Sequence, residues 1–223
     1  MLMDLIARLY APYNCVGCLK ESPILLCGSC EAAEPRLPPR CYLCKQTSRN
    51  WQTCENCRKK STISELVAYA DYGGNTKELI HSFKYERAVG AAGQLGEWLA
   101  AEINELDCKN ALLVPVPTAT SRVRQRGYDH AEMLAMEASK RSNINYANLL
   151  ARLGQAHQVG AKRGERNRQM SGAFRAIHPE RIKGKHVVLV DDIVTTGATL
   201  REAARVLKKA GARKISAVVL AQP

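Results

Sequence analysis

The order of apolar and polar positions divides the chain into two unlike parts near residue 60. Beyond that point, short aliphatic runs alternate with helical stripes. Leu66 to Ala70, Ala111 to Val116, Val187 to Val190 and Ile215 to Leu220 read as strands buried on both faces, because apolar residues run on without alternation. The second run meets Pro115 and Pro117, which cannot continue a central ladder. Between the runs, apolar residues recur at helical spacing and predict helices over 76–84, 89–106, 129–141 and 199–210. The third sets Ala131, Leu134, Ala135 and Ala138 on one face; the fourth does the same with Leu200, Ala203, Ala204 and Leu207. Strands alternating with helices predict an α/β fold, a parallel sheet covered on both sides. Ligands of such sheets bind beyond the carboxyl ends of the strands.

The first part follows another logic. After Tyr13 it has little apolar material beyond Ile24, Leu25 and Leu26, and it holds eight of the nine cysteines. They form four Cys-x-x-Cys pairs: Cys15/Cys18, Cys27/Cys30, Cys41/Cys44 and Cys54/Cys57. Two thiolates at that spacing, with nearby backbone N–H groups, wrap one tetrahedral zinc ion. Such clustering favours metal over a disulfide framework or redox dithiols in a cytosolic chain. Eight residues separate Cys18 from Cys27, and nine separate Cys44 from Cys54. Sequential pairing gives two zinc ribbons; a cross-braced arrangement, with the first and third pairs sharing an ion, stays open on spacing alone. Two bound zinc ions would supply the folding free energy that this segment's core cannot.

Pro35, Pro38 and Pro39 separate the two ribbons, and residues 58–64 read as the link onward. The expected organisation is a zinc-ribbon module over 1–60 and an α/β domain over 61–223. Cys108 stands alone and suits a small buried apolar role. Leu2, Leu5, Ile6 and Leu9 fall at helical spacing and predict a short packed helix. Asp4 and Arg8 interrupt that stretch, so it does not read as a secretory signal, and a cytoplasmic location is expected. No apolar run approaches the roughly 18 residues of a membrane span.

Net charge is +12 and unevenly spread. Residues 120–185 hold 14 Lys/Arg against 5 Asp/Glu, whereas residues 61–119 hold 4 against 8. A basic middle suits a phosphorylated small molecule, a nucleic acid, or solubility alone.

The most informative stretch is 187–200, where four aliphatics lead into Asp191 and Asp192. Thr195, Thr196, Gly197, Ala198 and Thr199 follow, a loop small enough for its N–H groups to approach a ligand, and then the helix begins. A helix N-terminus offers free donors and the positive end of the dipole, which suits phosphate. Acids just before it can accept hydrogen bonds from hydroxyls on the same ligand, so the run fits a ribose 5-phosphate. Val114-Pro115-Val116-Pro117 ends another strand at the same sheet edge, with Arg122, Arg124 and Arg126 close behind. Guanidinium forks bind phosphate oxygens in pairs, so these arginines suit a pyrophosphate wall, although alone they read equally as a solvated basic loop.

The run 187–200 resembles the phosphoribosyl pyrophosphate (PRPP) motif of type I phosphoribosyltransferases. That resemblance implies that Asp191 and Asp192 bind the ribose hydroxyls, that Thr195 to Thr199 enclose the 5-phosphate, and that Mg²⁺ accompanies the pyrophosphate. Over nearly its whole length the chain is similar to the ComF family, of the competence-associated ComFC type. The matching pieces are the paired Cys-x-x-Cys ribbons, Leu79-Ile80-His81-Ser82-Phe83-Lys84-Tyr85, Pro115-Val116-Pro117 with Arg122 and Arg126-Gly127-Tyr128, Gln158-Val159-Gly160, Arg163, Arg166, and Gly172-Ala173-Phe174. Where that family commonly carries Asn-Gln, this chain has Asp129-His130.

The resemblance implies a type I phosphoribosyltransferase-like parallel sheet with an N-terminal double zinc-ribbon module. It also implies a role in natural competence, with single-stranded DNA and DNA-uptake proteins as partners. Lys84 reads as a helix-end cation from the sequence; by the resemblance it faces the PRPP site. Residues 154–172, with Arg163 and Arg166, occupy the place of the mobile loop that closes over substrate in those enzymes, or track a nucleic-acid backbone. Lys84, Arg163 and Arg166 are therefore the catalytic candidates if transfer occurs, and no residue marks the acceptor. A nucleobase phosphoribosyltransferase of nucleotide salvage, with a structural zinc domain, is the alternative.

Overall fold

The apolar runs fold as one parallel sheet in the computed structural model, which describes residues 13–86, 89–108, 110–153 and 172–223. Strands β1 (Tyr13–Asn14) and β2 (Glu21–Ser22) form a short antiparallel pair, and helices α1 (Gly28–Ala32) and α2 (Glu55–Arg58) follow Cys27 and Cys54. Then come β3 (Glu65–Asp71), α3 (Gly74–Tyr85), α4 (Ala91–Asn104) and β4 (Leu112–Pro115). The chain continues through α5 (Thr120–Arg126), α6 (His130–Ser142), β5 (Leu150–Arg152) and β6 (Phe174–Ala176). It closes with α7 (Pro179–Ile182), β7 (His186–Ile193), α8 (Ala198–Lys209) and β8 (Lys214–Gln222).

The sheet order is β3-β8-β7-β4, all parallel, and β5 pairs with β6 in a separate antiparallel ribbon. The central strands β7 and β8 are buried almost throughout, as a doubly covered sheet requires. β4 pairs with β7 on one side and, through Leu113, with residues 145–147 on the other; its proline stands at the last position of the strand, where the ladder ends. One face buries Val67, Leu113, Val188, Val190 and Val218 against Leu79 and Phe83 of α3, Leu95 and Leu99 of α4, and Leu134 of α6. The opposite face buries Leu66, Ala68, Val187, Leu189 and Val219 against the α8 stripe of Leu200, Ala203, Ala204 and Leu207. Each such side chain contributes about 1.5–3 kcal/mol by leaving water.

The cysteine-bearing segment uses both of these cores in place of one of its own. Leu25 and Leu26 enter the first, while Tyr42 enters the second. Gln94 on α4 clasps Leu26 from both sides, accepting from its N–H at 3.2 Å and donating to its carbonyl at 2.7 Å. Trp98 donates its indole N–H to Glu31 at 2.6 Å, and Tyr69 stacks on Trp98 with ring centroids 4.2 Å apart. The guanidinium of Arg36 lies 3.9 Å from the Tyr69 ring centre on the way between the two cysteine clusters.

Three elements differ from the sequence expectation. β7 runs on through both acids to Ile193, because Asp191 and Ile193 keep the parallel register with Val219 and Ala221 of β8. Residues 120–126 are helical although only Val123 among them is apolar; Gly127, left-handed at φ 88°, ends that turn. The β5–β6 ribbon is three residues to a strand, too short to show a period. The N-terminal helix expected from Leu2 to Leu9, and most of the loop expected at 154–172, lie outside the described residues. Cys108 is buried as expected, its thiol directed at the Ile103 carbonyl.

At the opposite end of the sheet, His186 is buried beside Ser216, whose hydroxyl donates to Glu65. Burial and the nearby Lys214 ammonium push the imidazole down to about 4. A depressed folded-state pKa means stability present above the unfolded value of about 6.5 and lost as pH falls toward 4. His186→Gln, which keeps a hydrogen-bonding group without the titration, should flatten the pH dependence of the denaturation midpoint across that window. An unchanged slope would remove His186 from the account of acid sensitivity.

Candidate functional site

The carboxyl ends of β4 and β7 open into a cavity of about 470 Å³. β7 delivers Asp191 and Asp192; the chain after β4 delivers Thr118, Arg122 and Arg126; α3 sends Lys84 and Tyr85 from its last turn; β5 adds Arg152. Four cationic side chains thus face two acids, and the surplus suits a polyanion. Arg124 does not line the cavity.

Asp192 lies in the middle of an ion-pair network. Its Oδ2 sits 2.8 Å from Lys84 Nζ and 2.5 Å from His130 Nε2, and all three side chains are nearly buried. On the other side of the imidazole, Arg126 Nη1 lies 2.9 Å from Nδ1. A guanidinium can only donate, so Nδ1 accepts and the ring proton sits on Nε2, facing Asp192. Burial opposes the charge of Asp192, but the His130 hydrogen bond and the Lys84 ammonium outweigh it and hold the carboxyl far below its usual range. Asp191 behaves oppositely: burial, then the charge of Asp192 beside it, pushes it up to about 7. Neighbouring acids driven apart in this way are common at ligand-binding and catalytic sites. Among the described residues, Asp191 has no ion-pair partner.

The second wall is the loop after β7. Thr195 and Thr196 are exposed, and Asp191 through Leu200 surround a small pocket at the N-terminus of α8. Gly197 caps that helix with φ 69°, a left-handed conformation natural to glycine. A side chain there would also place Cβ 2.7 Å from Tyr42 Cε2, so the loop backbone lies directly on the Tyr42 ring. The backbone N–H groups at such a helix start and the α8 dipole are suited to an anion.

Asp129 and His130 have defined tasks. Asp129 caps α6 by accepting from Ala131 N at 3.0 Å and fixes Thr118 by accepting from its hydroxyl at 2.8 Å. His130 links Arg126 to Asp192. Sequence reasoning missed His130, Arg152 and Thr118; only the position of His130, just after Arg126-Gly127-Tyr128, offered a signal. Lys84, Arg122, Arg126, Asp191, Asp192 and Thr199 all line the one cavity, and Thr195 to Thr199 line the adjoining pocket. Arg163 and Arg166 lie outside the described residues.

The eight clustered cysteines form two groups in sequential pairing: Cys15, Cys18, Cys27 and Cys30, then Cys41, Cys44, Cys54 and Cys57. The sulfur atoms within each group lie within 4.8 Å of one another, with Cys18–Cys27 at 3.8 Å and Cys44–Cys54 at 3.6 Å. A tetrahedral ion with metal–sulfur bonds of about 2.3 Å requires an S···S edge of about 3.8 Å, so both groups fit. Backbone N–H groups of Gly17 and Cys27 point at Cys15 Sγ at 3.4 and 3.3 Å. Burial disfavours a Cys15 thiolate, yet these donors outweigh it and lower the thiol; N–H groups of Cys44, Cys54 and Leu43 do the same for Cys41. In each group one thiol is thus favoured as thiolate, while hydrogen bonding to Cys27 and burial push Cys30, and burial with hydrogen bonding to Cys54 push Cys57, up to about 12.

Comparison with known proteins agrees with this construction. Residues 147–223 match the phosphoribosyl transferase domain. The chain is 27% identical to competence protein F of Haemophilus influenzae, over 94% of this chain and 97% of that protein. It is 29% identical to the DNA utilization protein YhgH of Escherichia coli, over 85% of this chain and 87% of that protein. It is 25% identical to competence protein ComFC of Bacillus subtilis, over 87% of this chain and 83% of that protein.

Proposed function

We propose that this chain, a homologue of the ComF-type competence proteins, binds PRPP in the cavity between β4 and β7, with its 5-phosphate on the Thr195–Thr199 loop. The observation that carries the reading is the meeting of three features at one sheet edge: a loop suited to an anion at the α8 N-terminus, Asp191, which has no ion-pair partner among the described residues, and a wall of Lys84, Arg122, Arg126 and Arg152. The acid accepts hydrogen bonds from the ribose diol, and the cations take the pyrophosphate. Asp191 is the carboxylate left to hold Mg²⁺, since Asp192 is already paired with Lys84 and His130. A Mg²⁺ held there would neutralise charge on the pyrophosphate. His130 keeps Asp192 and Arg126 in register, so the wall is organised before the ligand arrives. If transfer occurs, Lys84 and the wall arginines stabilise the departing pyrophosphate, and positioning with electrostatics supplies the rate. Zinc is the ion proposed for both cysteine groups.

At the level of process, the names of the relatives support a role in the uptake and use of DNA. The basic surplus of residues 120–185 is the proposed path for single-stranded DNA, with binding that weakens as log K falls by roughly 0.7 per phosphate for each decade of salt.

Calorimetric titration tests the ligand reading. PRPP with Mg²⁺ should bind saturably, and ribose 5-phosphate and pyrophosphate should each compete more weakly. Arg122→Ala, which removes an exposed wall cation, should cost about 1.5–3 kcal/mol, the worth of a charged hydrogen bond. Equal affinity in that variant would remove the arginine wall from the site. Pyrophosphate release dependent on an added nucleobase would favour the salvage enzyme over the competence role.

A further inference from the structure

We infer that the second cysteine group is a structural arm of the phosphate loop: Tyr42 and Leu43, held between the ligands Cys41 and Cys44, position Gly197, so that zinc retention and phosphate binding are coupled. This rests on the proposed readings of the loop and of the metal.

The contact is unusually direct. The ring of Tyr42 is 1% exposed and lies under Gly197, where an added Cβ would be 2.7 Å from Cε2 and 3.1 Å from Cδ2. Leu43 Cδ2 would be 3.6 Å from the same point. Tyr42 is also fixed at both ends. Its hydroxyl donates to Ser61 Oγ at 2.5 Å, and its carbonyl accepts from the Gln222 side chain at 2.8 Å. Gln222 is oriented in turn by Arg40, which donates to Gln222 Oε1 at 2.9 Å from the residue before Cys41.

The sulfurs add a constraint at the two ends of the turn that carries Tyr42. Within it the Lys45 N–H donates to the Cys41 carbonyl at 2.7 Å and the Cys41 N–H donates to the Gln46 carbonyl at 2.8 Å, and the thiols of Cys41 and Cys44 tie its ends to Cys54 and Cys57. A metal ion joining Cys41 and Cys44 to Cys54 and Cys57 therefore sets the height of the Tyr42 ring beneath the loop. Close-packed interiors pass such displacements on without absorbing them. A phosphate on the loop holds Gly197 against the ring, so by linkage it also holds the metal.

Among the described residues the first group has no such path. It docks through Glu31, next to Cys30, onto Trp98 and Gln94 of α4, away from the loop. Its zinc should ignore the ligand, and this asymmetry is the signature to look for.

The test uses the full chain carrying two zinc ions and a colorimetric chelator that reports zinc release. Saturating ribose 5-phosphate, confirmed by calorimetry, should slow the departure of one zinc equivalent by about tenfold and leave the other unchanged. Tyr42→Leu should erase that difference and weaken ribose 5-phosphate binding by about tenfold, whereas Tyr42→Phe should retain both properties. Ligand-independent release of both ions from a saturated wild-type protein would overturn the coupling while leaving the phosphate site standing. If the wild-type protein binds no ribose 5-phosphate, the loop reading fails and takes the coupling with it. The release measurement on wild-type protein decides the matter even if Tyr42→Leu does not fold.

Discussion

Asp192→Ala should destabilise the free protein by about 3–5 kcal/mol, the cost of removing one partner from a buried ion pair. The sequence suggests a milder outcome, since both acids read as lying beyond the end of their strand. The structure makes Asp192 part of β7, nearly buried, with Lys84 and His130 directed at the same carboxylate oxygen. Alanine would leave the Lys84 ammonium, 13% exposed, without its counter-charge. For a chain of this size the melting temperature should fall by about 10 °C. Replacing both partners, as in Lys84→Met with Asp192→Leu, should recover much of the loss, because the penalty comes from the uncompensated charge. Thermal denaturation of the three proteins checks this; a melting temperature for Asp192→Ala within a degree of wild type would mean that the network does not support the fold. Asp191→Ala should cost much less stability, since no described cation lies in ion-pair contact with Asp191.

Metal removal should have the largest effect of all. Structural zinc sites of this kind contribute about 10–16 kcal/mol to the folding of their segments. Elemental analysis should find two zinc ions per chain, and Cys41→Ser should lower that to one. The consequences should reach past the cysteines, because Leu26 and Tyr42 belong to the two cores that cover the sheet. Loss of the second site should raise amide exchange in residues 40–61 and in the loop at 195–199. Loss of the first, by Cys15→Ser, should instead expose the α4 surface around Gln94 and Trp98. The sheet, whose central strands are buried by α4, α6 and α8, should persist in both variants. A metal content near one in the wild-type protein, or exchange unchanged in Cys41→Ser, would contradict this picture.

What could be read in the chain beforehand follows from which forces are local. Apolar runs at 66–70, 187–190 and 215–220 announce buried strands, and each is one, because a strand covered on both faces needs no partner to show its pattern. The α8 stripe is equally plain, since one helical period carries it. Helix α5 was hidden, as Arg122, Arg124 and Arg126 leave no apolar face to detect. The pairing of the cysteines was open because loop lengths permit two arrangements, and only the packing of each group selects one. The acids, the loop and the wall arginines were legible as a motif. Their organiser, His130, was not: its value comes from meeting Lys84, Arg126 and Asp192, which approach from three separate elements. Likewise, nothing in Tyr42 or Gly197 alone foretells that one is the floor of the other.

The central claim is the orientation of one ligand, and a crystal structure of the protein with PRPP and Mg²⁺ tests it most directly. The account predicts the 5-phosphate on the backbone N–H groups of Thr196 to Thr199, the ribose hydroxyls on Asp191, and the pyrophosphate among Lys84, Arg122 and Arg126. PRPP bound with its ends reversed, or bound outside the cavity between β4 and β7, would contradict it.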